Sequence, residues 1–147
     1  MLNKLPQILL LFGLSVAGSS CVADKYANPI NEDQSLKGTS WSVEDIAGKG
    51  VVDMSHTTIE FTDDGRIAGD TGCNRYFGSV ELAEGTIKVG ILAGTRKACI
   101  PALMDQERSF YQAIDEVTSW EIADTGLLHL RNADGMDQLR ASRTEDP

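Results

Sequence analysis

Alternation of apolar and polar side chains organises most of this chain. Over positions 57–62, Ile59 and Phe61 alternate with Thr58, Glu60 and Thr62. A period of two predicts a strand with one buried face. Asp63-Asp64-Gly65 is a tight-turn signal, and 66–69 returns as the hairpin partner. Positions 76–82 place Tyr76, Gly78, Val80 and Leu82 on one face; Ala83-Glu84-Gly85 turns the chain, and 86–89 comes back. Trp41 and Val43 mark a first strand over 41–43, with a loop at 47–50. Three more strand-like runs cover 120–123, 127–131 and 136–141, the last two joined through Asn132-Ala133-Asp134-Gly135.

Between 101 and 118 the period changes. Leu103, Met104, Phe110, Ile114 and Val117 recur at mostly helical spacing, so one helix is predicted there with this stripe as its core face. Pro101 suits a first turn, and Asp105 and Glu107 lie toward the end where the helix dipole favours acids. The predicted fold is α+β: a single small domain over 36–141, with a curved antiparallel sheet of about six to eight strands covered or plugged by one helix. Residues 21–35 are polar and contain Pro29, so they are expected to form a flexible tether of about 20 Å reach. Residues 142–147 are expected to be a frayed tail.

Composition narrows the function. The 147 residues suffice for one domain with a core, and 41% hydrophobic and 24% charged residues are ordinary globular values. A net charge of −9 argues against nucleic-acid binding, which needs a basic stripe, and against an anionic membrane surface unless an anchor overrides the repulsion.

The first residues supply a candidate anchor. Lys4 precedes an apolar run over 5–17, which is followed by Gly18-Ser19-Ser20-Cys21. This is the layout of a secretory signal over 1–20, too short for a comfortable transmembrane helix. The segment from Val16 to Cys21 resembles a bacterial lipobox, although Gly18 stands where a leucine-like residue is usual. That resemblance implies acylation of Cys21, which would hold the protein on a bilayer. The alternative is simple cleavage near Ser20, leaving Cys21 as an exported free thiol. Val22, in place of an aspartate, resembles outer-membrane rather than inner-membrane sorting.

Cys73 and Cys99 carry the strongest internal signal, within Gly72-Cys73-Asn74-Arg75-Tyr76-Phe77-Gly78 and Gly94-Thr95-Arg96-Lys97-Ala98-Cys99. In an exported chain two such cysteines read as a structural bridge, worth about 3–4 kcal/mol in the chain-entropy model. Two buried thiols acting as small hydrophobes are the alternative. No ligand spacing supports a metal site, and no cofactor is expected. His56 and His129 belong to no nucleophile or zinc motif, so no catalytic residue is assigned and no enzymatic activity is expected. The glycines are spread through hairpins and form no phosphate loop.

These residues resemble the META domain family, which includes the HslJ-type heat-inducible lipoproteins. The likeness rests on Trp41, the run from Gly69 to Gly78, Thr95-Arg96 with Cys99, Gln106-Glu107 opening the helix, and Leu127-Leu128-His129-Leu130 with the Gly135 turn. It implies an envelope lipoprotein with a small antiparallel sheet and a packed helix, facing the periplasm and linked to envelope integrity and to heat or novobiocin tolerance. A likeness of that family to secretin pilot proteins implies a second function: a pilot- or chaperone-like module holding a peptide or acyl chain in a cleft between sheet and helix. The implied partners are the membrane through Cys21 and an envelope protein or small ligand, with a monomer favoured. Asn74, Arg75, Thr95 and Arg96 form a polar set with two readings. One is a recognition patch. The other is structural, with Asn74 satisfying turn amides and Arg96 paired with an acid such as Glu107.

Overall fold

A computed structural model describes residues 35–144. Ten strands and one helix follow in the order β1 (Thr39–Ile46), β2 (Lys49–Gly50), β3 (Thr57–Phe61), β4 (Arg66–Thr71), β5 (Arg75–Ala83), β6 (Thr86–Val89), β7 (Ala93–Gly94), α1 (Pro101–Asp115), β8 (Ser119–Ile122), β9 (Leu128–Arg131) and β10 (Asp137–Arg143). The signal, lipobox and tether expectations for residues 1–34 lie outside the described residues.

The sheet is a closed barrel, not the open curved sheet expected. Eight strands run β1-β3-β4-β5-β6-β8-β9-β10, and β10 pairs back onto β1. Trp41 is the point of closure, opposite Ile59 of β3 on one side and Arg143 of β10 on the other. Register shifts between Val43 and Asp45 and between Asp137 and Leu139 bend these strands, as bulges do at barrel corners. Closure leaves fewer free edges than an open sheet. The short strands β2 and β7 pair only with β1 and β5.

β10 also corrects the chain end. The strand continues through Arg143, whose guanidinium lies 5.1 Å from the centre of the Trp41 ring, and the Thr144 amide donates to Ser40 O at 2.9 Å. Residues 145–147 are outside the described residues.

Period-two alternation holds where it was strongest. Tyr76 and Val80 of β5 are buried, as are Leu128 and Leu130 of β9. The interior is packed by Trp41, Ile59, Phe61, Ile67, Tyr76, Leu128, Leu130 and Leu139, together with Phe110, Ala113 and Ile114 of α1. The helix thus contributes to the same core as the barrel wall. It ends at Asp115, three residues earlier than expected, although Val117 remains buried.

The core stripe of α1 also needs correction. Met104 is exposed and Leu103 only half-buried; Gln106 and Ala113 are buried on the inward face instead. The buried Gln106 amide is fully used. Its Nε2 donates to Thr57 Oγ1 at 2.9 Å and Thr71 O at 2.9 Å, while Oε1 accepts from the Val52 amide at 2.6 Å. A polar group at this depth is tolerated only with such partners. Asp105 and Glu107 lie beyond the first turn, where the dipole effect has faded.

Candidate functional site

The β4–β5 turn is the centre of the polar cluster. Gly72 adopts φ +89°, which suits glycine, and a Cβ there would lie 2.7 Å from Gln106 Nε2. Asn74 follows and is 2% exposed. Its Oδ1 accepts from the Lys97 amide at 2.7 Å and from Thr95 Oγ1 at 2.8 Å. Its Nδ2 donates to Lys97 O at 3.2 Å and Glu107 Oε1 at 3.3 Å. Thr71 Oγ1 lies 2.6 Å from the other Glu107 oxygen and accepts from the Asn74 amide at 3.0 Å.

The cluster therefore ties three pieces of chain together: the β4–β5 turn, the segment entering α1, and α1 itself. The Cys73 and Cys99 sulfurs lie at bonding distance, with Cα atoms 6.0 Å apart across a separation of 26 residues. The bridge and Asn74 hold the same strap, residues 95–99, against the barrel. Among the described residues, every buried side-chain nitrogen and oxygen has a partner.

The four polar candidates divide. Asn74 is buried, and Thr95 binds it while accepting from the Arg75 amide at 3.2 Å. The side chains of Arg75 and Arg96 are exposed. Arg96 makes no ion pair with Glu107, contrary to the structural reading of that residue. The Glu107 carboxylate is taken by Thr71 and Asn74 instead. A part-buried hydrogen bond to a carboxylate replaces a solvent-exposed ion pair with little loss.

The histidines are far apart in role. His129 lies 2.8 Å from Asp137 Oδ2, and Arg131 donates to Asp137 Oδ1 at 2.8 Å and also pairs with Glu121. Burial raises the Asp137 carboxyl, but the hydrogen bonds from His129 and Arg131 outweigh it and hold the group below the usual carboxylate range. His56 is exposed and borders a shallow depression with Met54, Asp70, Lys97 and Ile100.

Sequence reasoning missed Thr71 and the inward turn of Gln106. Gln106 is four positions before Phe110, so it shares the face of that core residue. A second feature, whose position no residue pattern gave, is a groove between α1 and the chain over 89–96. It is lined by Val89, Ile91 and Leu92 on one side and by Tyr111, Ile114 and Asp115 on the other, and runs past Leu92 toward Arg96. Burial pushes the Tyr111 hydroxyl up, and the nearby Glu107 charge adds to the shift.

Comparison with known proteins agrees with this architecture. An NMR structure of a protein from Burkholderia xenovorans is 26% identical, with a TM-score of 0.62 over 76% of this chain and 85% of that one. A second NMR structure is 25% identical, with a TM-score of 0.55 over 71% of this chain and 86% of that one. The crystal structure of a duf4847 family protein from Bacteroides vulgatus shares the fold alone, at 14% identity and a TM-score of 0.55 over 75% and 95% of the two chains. No curated protein matches the sequence. The META domain profile matches residues 34–145, and the chain therefore belongs to the META domain family.

Proposed function

We propose that this chain is a non-enzymatic envelope lipoprotein of the META type. In this reading Cys21 is acylated and tethers the domain to the outer membrane, facing the periplasm. The domain supports envelope integrity, or tolerance of heat and antibiotics, by binding an envelope protein or small ligand. The observation that carries the reading is the commitment of the Asn74 cluster to architecture. Asn74, Thr71, Thr95 and Glu107 spend their polar atoms on one another and on the strap. A disulfide at the same place suits an oxidising compartment.

Labelling with an alkyne-bearing palmitate analogue in a diderm bacterium tests the anchor. The wild type is expected to take up label and fractionate with the outer membrane, and Cys21→Ala to do neither. An unlabelled, soluble wild-type protein would overturn the anchored reading.

The groove between α1 and residues 89–96 favours a second reading, a pilot- or chaperone-like module for a peptide or acyl chain. The packed barrel interior leaves the outside of the barrel as the place for such a ligand.

A further inference from the structure

The barrel wall is weakest between β6 and β8. Their ladder consists of one pair, Thr86 with Ser119, extended by hydrogen bonds from the Ile87 amide to Thr118 O and from the Trp120 amide to Gly85 O. Beyond Ile87 the chain runs along β5 alone. Val89 pairs with Val80, and Ala93 and Gly94 pair with Phe77 and Tyr76. The amides of Gly90 and Thr95 point inward, donating to Ser79 O at 2.9 Å and Arg75 O at 3.0 Å. Alternation along an antiparallel ribbon then turns the backbone groups of their neighbours Val89 and Gly94 away from β5. Among the described residues no hydrogen bond joins α1 to residues 89–94. The groove is therefore bounded on one side by the end of β6, the irregular residues 90–92 and the short β7, and by helix side chains on the other.

The edge is apolar and open. Ile91 is 94% exposed and Phe77, across from Ala93, is 61% exposed. Gly78 allows the close approach, since a Cβ there would lie 2.6 Å from Leu92 Cδ2 and 2.8 Å from Ile91 O. At one end of the groove Arg96 sits with Glu107, whose carboxylate oxygens are engaged by Thr71 and Asn74, and Asp115 lies at the other end.

We propose that this edge binds an extended polypeptide segment of a partner protein by strand addition. The outward backbone groups of Val89 and Gly94 can recognise another backbone, and pockets beside them select side chains of the incoming segment. An incoming antiparallel strand places its amino end at Arg96 and its carboxy end near Asp115. The preferred segment therefore alternates apolar and polar residues, with an acidic amino end and a basic carboxy end. This rests on the reading of the domain as a binding module; the acyl-labelling experiment tests the anchor separately, so a failure of either is recognisable.

The test uses a seven-residue peptide alternating valine and threonine, with aspartate at the amino end and lysine at the carboxy end. It is titrated into the isotope-labelled full chain and amide resonances are followed. Shifts confined to residues 88–96 and 111–115 are expected. A proline at the central position removes a backbone donor, and exchanging the terminal charges sets lysine against Arg96 and aspartate against Asp115; each should weaken binding at least tenfold. Ile91→Lys, at an exposed site, should weaken it similarly while leaving the remaining spectrum unchanged. Equal binding of the proline peptide, shifts elsewhere on the barrel, or no shifts at millimolar peptide would overturn the proposal. So would shifts in the groove with laurate but not with peptide, which would assign the site to an acyl chain.

Discussion

The hydroxyl of Tyr76 passes through space that only a glycine at position 69 leaves open. It donates to Thr58 O at 2.9 Å, and a Cβ on Gly69 would lie 2.0 Å from that carbonyl oxygen and 2.8 Å from the hydroxyl. Gly69 lies between the two, opposite Ile59 of β3 and Tyr76 of β5. Burial pushes the Tyr76 hydroxyl well above the ordinary tyrosine range, so it stays a donor. Gly69 and Tyr76, both part of the run that resembles the family, are thus explained by one packing requirement.

Gly69→Ala is expected to cost about 3 kcal/mol, combining overpacking with the loss of a buried hydrogen bond. Tyr76→Phe is expected to cost only about 1 kcal/mol, since the ring still packs. Urea denaturation measures both. A Gly69→Ala variant within about 0.5 kcal/mol of wild type would show that β3 and β4 can separate freely, contrary to this packing.

Removing the Asn74 amide leaves the Lys97 amide without its partner. Asn74→Ala should therefore destabilise the domain by about 2–3 kcal/mol. Asn74→Asp should be worse near neutral pH, because it places a second carboxylate within hydrogen-bonding distance of Glu107. Part of that loss should return on acidification, as one of the two groups gains a proton. Denaturation midpoints across pH decide this, and a pH-independent difference between Asp and Ala variants would contradict it.

Replacing both Cys73 and Cys99 by serine is expected to lower stability by about 3–4 kcal/mol. Because the bridge and Asn74 hold one strap, the loss should not add simply to that of Asn74→Ala. A triple variant whose cost equals the sum within about 0.3 kcal/mol would show that the two fastenings act independently.

Arg96→Ala should leave stability within about 0.5 kcal/mol of wild type, since the side chain is exposed and does not pair with Glu107. A loss above 1 kcal/mol in thermal or urea unfolding would restore a structural role for the guanidinium.

Asp137 sets a pH dependence with a definite sign. Its folded carboxyl titrates below the ordinary value of 3.8, because the His129 and Arg131 hydrogen bonds overcome the effect of burial. Its contribution is fully present above that value and is lost as pH falls through the lower folded one. Asp137→Asn should flatten this part of the acid limb of the stability curve. Identical acid limbs in the two proteins would contradict the assignment.

Local alternation made the hairpins legible. Ile59, Phe61, Val80 and Leu130 needed only a period of two and a nearby turn signal. Closure was not legible, because it depends on Trp41 meeting Arg143, nearly the whole domain away in sequence. The apolar stripe on α1 fails at Met104, since apolarity alone does not reveal that the loop before β3, together with Thr57 and Thr71 of the barrel, offers hydrogen-bond partners to Gln106. β7 is two residues long and carries no periodicity. The site is half legible: the cysteines and Asn74 stand out, but the reading that pairs Arg96 with an acid such as Glu107 fails, because that carboxylate goes to Thr71 and Asn74.

Amide hydrogen exchange at Lys97 tests the central claim, that the motif around Asn74 is a clamp on the strap. Lys97 lies in a segment without regular structure, yet its amide donates to the Asn74 side chain at 2.7 Å. The account predicts slow exchange at Lys97 in the wild type, much faster exchange in Asn74→Ala, and little change at strand amides of β9. Exchange at Lys97 as fast as in an open chain, or protection unchanged by the substitution, would contradict it.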